Sequence, residues 1–355
     1  MRRALATIDR AALAHNLARV RALAPGRRVY AAVKADGYGH GAATVAHALA
    51  DADGFAVSSL DEALQLRWAG IDRPVLMLSQ MLDATVCAQA AEQGFEIVLF
   101  HDAQLDALAA YRGPPVTVWI KLDSGMHRLG FACERAGEIA ARVDTCPQAS
   151  HGGWLTHLAC ADDARSPLTR RQLAAFEAAI VGRAGQRSIA NSAGVLDWPE
   201  SHADTVRPGI MLYGSSPLLA RSAADCDLRP AMTLSAPLIA RQTVAAGEPI
   251  GYGAISRTPE SMPVGVIGIG YGDGYPRHAP PGTPVLLDGV RVPLIGRVSM
   301  DMITVDLRAA PAARVGDRAT LWGEDLPADE IAAAAGTIAY ELFCRLTPRV
   351  AFEIV

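Results

Sequence analysis

The chain has 355 residues and carries 33 basic and 37 acidic side chains, for a formal net charge of −4. Half of its residues are hydrophobic and 20% are charged, which is typical of a globular protein with a large core and excludes a disordered or fibrous chain. The slight acidic excess favours neither nucleic acid nor an anionic membrane as a partner, and no apolar run is long enough to span a bilayer.

The N-terminal segment predicts a short strand and then a helix, rather than a secretion signal. Asp9 and Arg10 end the apolar stretch too early for a signal peptide, and Asp9 is suited to cap a helix. We therefore expect a cytoplasmic protein. The cysteines form no Cys-x-x-Cys pair and the histidines no His-x-x-x-His pair, so we expect no metal site.

From residue 29 to residue 213, β-rich runs alternate with Ala- and Leu-rich runs at helical spacing. Eight strands are predicted, over residues 29–34, 55–58, 75–78, 96–100, 116–122, 150–158, 187–191 and 204–212. The helices predicted between them include 61–69, 83–93, 102–111, 133–143 and 169–184. Eight such units favour a closed (β/α)8 barrel of the TIM type. A doubly wound Rossmann sheet is the alternative, but the chain has neither the Gly-rich dinucleotide motif nor Gly-Lys-Ser/Thr.

The pattern changes after about residue 228. Short β-rich runs follow one another, over residues 232–240, 264–269, 283–287 and 318–322, and only residues 328–346 are predicted to form a helix. We therefore expect an α/β protein with a barrel over residues 1–228 and a mainly β domain over residues 229–355. The first ~8 residues are a strand that could pair with the second domain.

Lysine is almost absent from the chain. Of the 33 basic residues, only Lys34 and Lys121 are lysines, and the rest are arginines. Lysine can lose its proton and form an imine, whereas arginine cannot. The two lysines are therefore the first candidates for amine chemistry.

The predicted barrel brings a set of polar residues to one mouth, because the carboxyl ends of its strands form the active site in such folds. The residues at or just after these ends are Lys34, Arg128, His157, Asn191, Ser192, Arg207, Gly209 and Ile210. Ser192 and the amides of Gly209 and Ile210 suit a phosphate group. A lysine across the mouth from a phosphate site is the arrangement that holds pyridoxal 5′-phosphate (PLP).

Several motifs resemble those of the bacterial alanine racemases, a family of PLP-dependent enzymes. They run in the family's order along nearly the whole chain, as Ala32–Gly41, Lys121–Gly130, Thr156-His157, Asn191–Ala193, Arg207–Gly214, Gly251–Gly253, Gly270–Arg277 and Ser299–Asp301. Any one motif is weak, but the ordered set is very specific.

The resemblance implies a barrel that binds PLP, a mainly β second domain and a homodimer. It implies that Lys34 is the Schiff-base lysine of PLP and the base that exchanges the α-proton on the D side. It also implies that Tyr252 is the opposing base for the L enantiomer and enters the active site of the other subunit.

The resemblance also implies roles for further residues. Arg128 and the backbone of Met300 hold the substrate carboxylate, and Tyr271 constricts access to the site. The residues implied to bind the cofactor are Lys34, Tyr38, His157, Ser192, Arg207, Gly209 and Ile210, with Arg207 at the pyridine nitrogen. Lys121 matches a lysine that carries a carbamate in part of the family. We interpret Tyr340 and Glu341 as packed helix residues outside the site, and Pro348 stands where some members have a phosphate-binding tyrosine.

The predicted function is that of an alanine racemase, which interconverts L- and D-alanine by a two-base mechanism on PLP. It would supply D-alanine for peptidoglycan or serve D-alanine catabolism. A broader amino-acid racemase is a second hypothesis, which a tight gate of Tyr271 and Tyr252 disfavours. A non-catalytic PLP carrier or a barrel aldolase using Lys34 would not need the second domain. A related decarboxylase is disfavoured because its cysteine motif is absent.

Overall fold

The computed structural model describes residues 4–355. Residues 1–3, which belong to the segment predicted to pair with the second domain, lie outside the described residues. Eight parallel strands close into a barrel, as the sequence predicts: β2 (Arg28–Ala32), β3 (Gly54–Val57), β4 (Val75–Met77), β5 (Phe95–Leu99), β6 (Val116–Asp123), β8 (Ala149–Leu155), β9 (Gln186–Ser188) and β10 (Thr205–Val206). A short strand, β7 (Phe131–Ala132), pairs with the end of β6.

Helical segments lie next to the barrel strands, and most of them cover the outside of the barrel. They are α1 (Arg10–Leu23), α2 (Lys34–Gly39), α3 (Ala42–Ala48), α4 (Leu60–Trp68), α5 (Ala84–Gln93), α6 (Asp102–Ala110), α7 (Ala136–Asp144), α8 (Leu168–Ile180) and α9 (Ser192–Asp197). The short segment Lys34–Gly39 lies at the mouth instead, and its residues 35–38 have left-handed backbone angles. Helix α1 begins directly after Asp9, whose carboxylate accepts hydrogen bonds from the amides of Ala11 and Ala12. This is the capping arrangement that the sequence predicts.

The last barrel strand is much shorter than its predicted range, 204–212. Pairing ends at Val206, and the chain turns into a 3-10 helix over Ile210–Tyr213. Pro208 has no backbone N–H to donate to a neighbouring strand, so the ladder does not continue through it. The early end of β10 places Arg207 and Gly209 at the mouth rather than within the wall.

The second domain is built on an eight-stranded sheet. Its strands from this part of the chain are β11 (Met232–Val244), β14 (Met262–Ile267), β15 (Pro284–Leu287), β16 (Val290–Ile295), β17 (Ile303–Asp306), β18 (Arg318–Trp322) and β19 (Ala351–Ile354). A separate hairpin joins β12 (Pro249–Ile250) to β13 (Ser256–Arg257). The remaining strand of the large sheet is β1 (Leu5–Ile8), which pairs antiparallel with β11 and parallel with β19.

The single helix predicted over residues 328–346 is wrong. The structure has two helices there, α10 (Ala328–Ala334) and α11 (Ala339–Cys344). Gly336 adopts a φ of +69°, in the left-handed region that glycine enters at little cost, and this ends α10. The break turns α11 in a new direction, toward the barrel mouth.

A separate apolar cluster packs between the barrel strands below the mouth, made of Tyr30, Leu76, Val98, Phe100, Trp119 and Leu155. Glu96 joins it by accepting hydrogen bonds from the Tyr30 hydroxyl at 2.8 Å and the Trp119 indole at 2.6 Å. Within residues 4–355, no helix has the length and hydropathy needed to cross a bilayer. The same residues contain no cluster of three or more His, Cys, Asp or Glu side chains suited to a metal ion.

Candidate active site

A cavity of about 570 Å³ opens at the carboxyl ends of the barrel strands. Nine of the predicted site residues line it: Lys34, Tyr38, Lys121, Arg128, His157, Ser192, Arg207, Gly209 and Ile210. They come from strands β2, β6, β8, β9 and β10 or from the loops after them. The short eighth strand and the barrel closure therefore bring residues more than 150 positions apart to one wall.

The cavity is strongly cationic. Lys34, Lys121, Arg128 and Arg207 line it, and among residues 4–355 no aspartate or glutamate does so. Lys121 and Arg207 are buried, and burying like charges together without a carboxylate is unfavourable unless an anion joins them. These four cationic side chains therefore predict that the cavity binds a ligand with several negative charges.

Arg207 is the most deeply buried of these cations. Its guanidinium donates to the hydroxyl of Ser188, to the carbonyl of Thr156 at 2.6 Å and to the carbonyl of Ile189 at 3.3 Å. Burial lowers the pKa of Arg207 to about 10, so the group stays protonated at neutral pH. Three neutral acceptors hold this charge in one orientation.

Both lysines have lowered pKa values. Burial lowers the pKa of Lys34, and the charge of Arg128 lowers it further. Burial lowers the pKa of Lys121 to about 8, again aided by the neighbouring arginines. Burial and the same cations hold the pKa of His157 well below its usual range, so its imidazole is neutral. The cavity thus holds a neutral imidazole and two lysines with lowered pKa values beside fixed arginine charges.

One side of the cavity forms a cradle of the kind that binds phosphate. The Ser192 hydroxyl accepts from the amide of Gly209 at 2.8 Å and from that of Met211 at 3.4 Å. A Cβ atom at Gly209 would overlap the Tyr38 hydroxyl, so only glycine lets the chain pass so close to this phenol. Within residues 4–355, the Ile210 amide has no acceptor, and it is available to an anion.

The other three predicted residues lie outside this cavity, on the surface of the second domain. Tyr252 is 73% exposed, Met300 is 53% exposed and Tyr271 is 38% exposed. The loops of Tyr271 and Met300 are joined, because the Gly272 amide donates to the Met300 carbonyl at 2.8 Å. The structure therefore does not bring these side chains to the cavity of their own subunit.

Comparison with known proteins decides the family. Residues 8–217 match the N-terminal domain of alanine racemases, and residues 231–354 match their C-terminal domain. The alanine racemase of Halorhodospira halophila is 52% identical over 358 residues, which cover 100% of this chain and 98% of that protein. The chain belongs to the alanine racemase family. The resemblance inferred from the motifs is thereby confirmed.

Other members of the family are similar along their whole length. The alanine racemase of Shewanella woodyi is 48% identical over 348 residues, which cover 98% of this chain and 97% of that protein. The solved structure of the biosynthetic alanine racemase from Pseudomonas aeruginosa superposes with a TM-score of 0.97 at 46% identity, with 100% of each chain covered. That of Acinetobacter baumannii gives 0.92 at 38% identity, again with 100% of each chain covered. These comparisons confirm the fold of the family, a barrel followed by a β domain.

Among the cavity residues that the sequence did not predict are Tyr340 and Cys344. Both lie on α11, which closes one side of the mouth. The interpretation of Tyr340 as a helix residue outside the site is wrong, because its ring lies 5.9 Å from that of Tyr38 and lines the cavity. The break at Gly336 is the signal that could have found them, since it redirects the second half of the predicted helix toward the barrel.

Proposed function

We propose that this protein is a PLP-dependent alanine racemase that interconverts L- and D-alanine with two bases on opposite faces of the α-carbon. The observation that carries the proposal is the cavity itself. It combines a lysine with a lowered pKa, three further cations and the Ser192–Gly209 cradle, without any carboxylate. Membership of the alanine racemase family supports the same reaction.

The residues of the cavity fit PLP. Ser192, Tyr38 and the amides of Gly209 and Ile210 would hold its phosphate, and Lys34 would bind its aldehyde carbon. Arg207 would face the pyridine nitrogen, and His157 lies within the same wall. When bound, PLP supplies an electron sink that makes the α-proton of an amino acid acidic.

Lys34 would move the proton on the D side of the α-carbon. A base must be deprotonated to accept a proton, and the burial of Lys34 beside Arg128 favours its neutral form. The guanidinium of Arg207, held by three neutral acceptors, would be a donor at the pyridine ring when PLP is bound. A donor that keeps its own proton leaves that nitrogen unprotonated, which restrains side reactions such as transamination.

Tyr252 would act on the L side, from a second copy of the chain. Its phenol is 73% exposed on the surface of its own subunit, as expected of a group that completes a neighbouring site. The glycines on either side adopt φ values of +65° and +75°, so the loop makes a tight turn that projects the tyrosine. The assembly proposed here is therefore a homodimer in which each site uses both chains.

The substrate carboxylate would lie between the subunits. Arg128 lines the cavity and is suited to bind a carboxylate through its planar guanidinium. Met300 and Tyr271 would approach it from the partner subunit, with the Met300 backbone on the carboxylate and the Tyr271 ring at the opening. A narrow opening favours a substrate as small as alanine.

We predict that Lys121 is carbamylated in the native protein. Carbamate formation needs a neutral amine, and burial among arginines lowers the pKa of Lys121 to about 8. The modified fraction should rise as the pH rises through this value. A protein equilibrated with ¹³C-bicarbonate should show one carbamate signal by NMR, and Lys121→Arg should remove it. Because Lys34 is the other lysine, Lys34→Arg is the matched control and should keep the signal. A native protein without such a signal would exclude the modification.

We also predict that Gly209→Ala weakens PLP binding. The added methyl group would overlap the Tyr38 hydroxyl, and the Tyr38 ring is stacked on Tyr213 at 4.7 Å and has little room to move. Overpacking of about 1–3 kcal/mol corresponds to a loss of affinity of roughly fivefold to a hundredfold. Gly26→Ala is the control, because Gly26 has open space around it, although its φ of +73° adds a backbone strain that Gly209, with a φ of −122°, does not have. If absorbance titration gave the two variants equal affinity for PLP, this would contradict the proposal that the Ser192–Gly209 cradle binds the phosphate.

The proposed function is tested by the visible spectrum of the purified protein, followed by an assay for D-alanine after L-alanine is added. A bound PLP band and D-alanine formation are expected. Activity on lysine or arginine comparable to that on alanine would instead indicate the broader racemase, and a PLP band without racemisation would indicate a carrier. We place the enzyme in the cytoplasm, where it would supply D-alanine for peptidoglycan or return D-alanine to the L form.

A further inference from the structure

The chain makes an unusual left-handed turn between Lys34 and Tyr38, the tyrosine that would contact the phosphate of PLP. Ala35, Asp36, Gly37 and Tyr38 have φ values of +52°, +53°, +61° and +52° in succession. This conformation is unfavourable for every residue that carries a Cβ atom, and consecutive residues rarely adopt it. Three of the four residues here are not glycine. Surrounding contacts must therefore hold the turn in place.

The far end of the turn is held by its own loop and by the ring of Tyr213. The Asp36 carboxylate accepts from the amide of Ala42 at 2.8 Å. The Tyr38 carbonyl is hydrogen-bonded to the His40 ring at 2.9 Å, and the Tyr38 ring is stacked on that of Tyr213. These contacts fix Tyr38 but leave the end next to Lys34 untouched.

The near end is held by Glu62, from another part of the barrel. One oxygen of its carboxylate accepts from the amide of Ala35 at 2.8 Å, and the other accepts from the amide of Ser58 at 2.6 Å. Glu62 lies in the first turn of α4, which is capped by Ser59 and favours a negative charge. Hydrogen bonds to an ionised carboxylate are stronger than those between neutral groups. Glu62 thus ties the loop after β2 to the loop after β3.

We propose that Glu62 is a positioning residue for Lys34, because its carboxylate holds the first residue of the strained turn and so sets the place of the lysine relative to Tyr38. This inference rests on the proposed function for the role of Lys34. Within residues 4–355, no ion pair joins Glu62 to Lys34. The charge of Glu62 opposes the lowering of the pKa of Lys34, but its hydrogen bond is to the backbone amide of Ala35, and the positioning acts through that amide. No other acceptor for the Ala35 amide exists in this part of the chain.

The neighbouring acid Asp61 makes it possible to distinguish the positioning of Lys34 from a general effect of negative charge on helix α4. Asp61 lies in the same first turn of α4 but is exposed and makes no hydrogen bond or ion pair within the described residues. Both acids interact favourably with the start of the helix. Only Glu62 reaches the turn after Lys34, so Asp61→Ala is the matched control for Glu62→Ala.

The experiment measures hydrogen–deuterium exchange of residues 35–41 in the PLP-bound enzyme. Glu62→Ala should speed exchange of this segment by roughly tenfold, since the Ala35 amide loses a charged acceptor. Asp61→Ala should leave the segment unchanged. A Glu62→Ala variant that exchanges residues 35–41 like Asp61→Ala would overturn the proposal. Should Glu62→Ala fail to fold, Glu62→Met, which keeps the length of the side chain but offers no oxygen acceptor, serves for the same comparison.

Steady-state kinetics provide a second readout. Lys34 moves a proton whereas Arg128 holds the carboxylate, so Glu62→Ala should lower kcat for alanine by roughly tenfold and leave KM within about twofold. An unchanged kcat beside faster exchange would show that the turn can move without affecting the lysine and would contradict the positioning role. Hydrogen–deuterium exchange of residues 35–41 does not depend on racemisation. A wild-type enzyme inactive on alanine would therefore refute the proposed function, while exchange would still decide whether Glu62 holds the turn.

Discussion

Replacing Lys34 with alanine should abolish racemisation in both directions. The variant lacks the amine that would bind PLP and also the base that would exchange the proton on the D side, so activity should fall by roughly a thousandfold or more. The visible band of bound PLP should disappear from the purified protein. Absorbance spectra and assays from both L- and D-alanine measure the two effects.

Two controls test whether the loss of activity in Lys34→Ala comes from the missing amine rather than from misfolding or from the lost charge. Thermal unfolding of Lys34→Ala tests that the barrel still folds, since the side chain lies at the end of β2 rather than in the core. Lys34→Arg keeps the positive charge but cannot form an imine, and it should be equally inactive. A Lys34→Ala protein that racemises alanine at a substantial rate would eliminate Lys34 as the reactive amine.

Replacing Tyr252 with phenylalanine should block proton removal from L-alanine while leaving PLP bound. The change removes one hydroxyl from an exposed side chain, so the fold and the cavity should be unaffected. Loss of a base that acts in the transition state lowers the rate by about 10²–10⁴-fold. Proton NMR in D₂O should show slow exchange of the α-proton of L-alanine and continued exchange for D-alanine. Full exchange from L-alanine would refute the two-base assignment.

Mixed dimers test whether Tyr252 acts across the subunit boundary. In a dimer of one Lys34→Ala chain and one Tyr252→Phe chain, one site would contain both intact residues and the other would contain neither. Equal mixing of two inactive variants should therefore restore about a quarter of the wild-type sites. If both bases came from the same chain, every site would lack one of them and mixing would restore nothing.

Local sequence patterns predicted the barrel well, because each strand and helix has its own periodicity. The eight strands are all present, and the main errors lie where one residue interrupts a pattern. Pro208 ends the last strand early, and Gly336 divides the last predicted helix into two. Both residues act through backbone geometry, which hydrophobic spacing does not report.

The sequence predicted the part of the site that lies at the ends of the barrel strands or within a family motif. Tyr340 and Cys344 reach the cavity because α11 of the second domain packs over the mouth, and no local pattern encodes that contact. Gly39 shows how close this packing is, since a Cβ atom there would overlap the carbonyl of Phe343 on α11. The contact between Glu62 and the amide of Ala35 is likewise invisible to sequence, because it joins two separate barrel loops.

The placement of β1 has a consequence for how the chain folds. Both neighbours of Leu5–Ile8 in the sheet, Met232–Ser235 and Ala351–Ile354, lie more than 200 positions away along the chain. Such long-range pairing forms slowly, and an unpaired apolar strand can associate with other chains in the meantime. Most barrel strands pair instead with the next barrel strand in sequence, so the barrel can form before this sheet is complete. Removal of either Leu5–Ile8 or Ala351–Ile354 should therefore destabilise the same sheet.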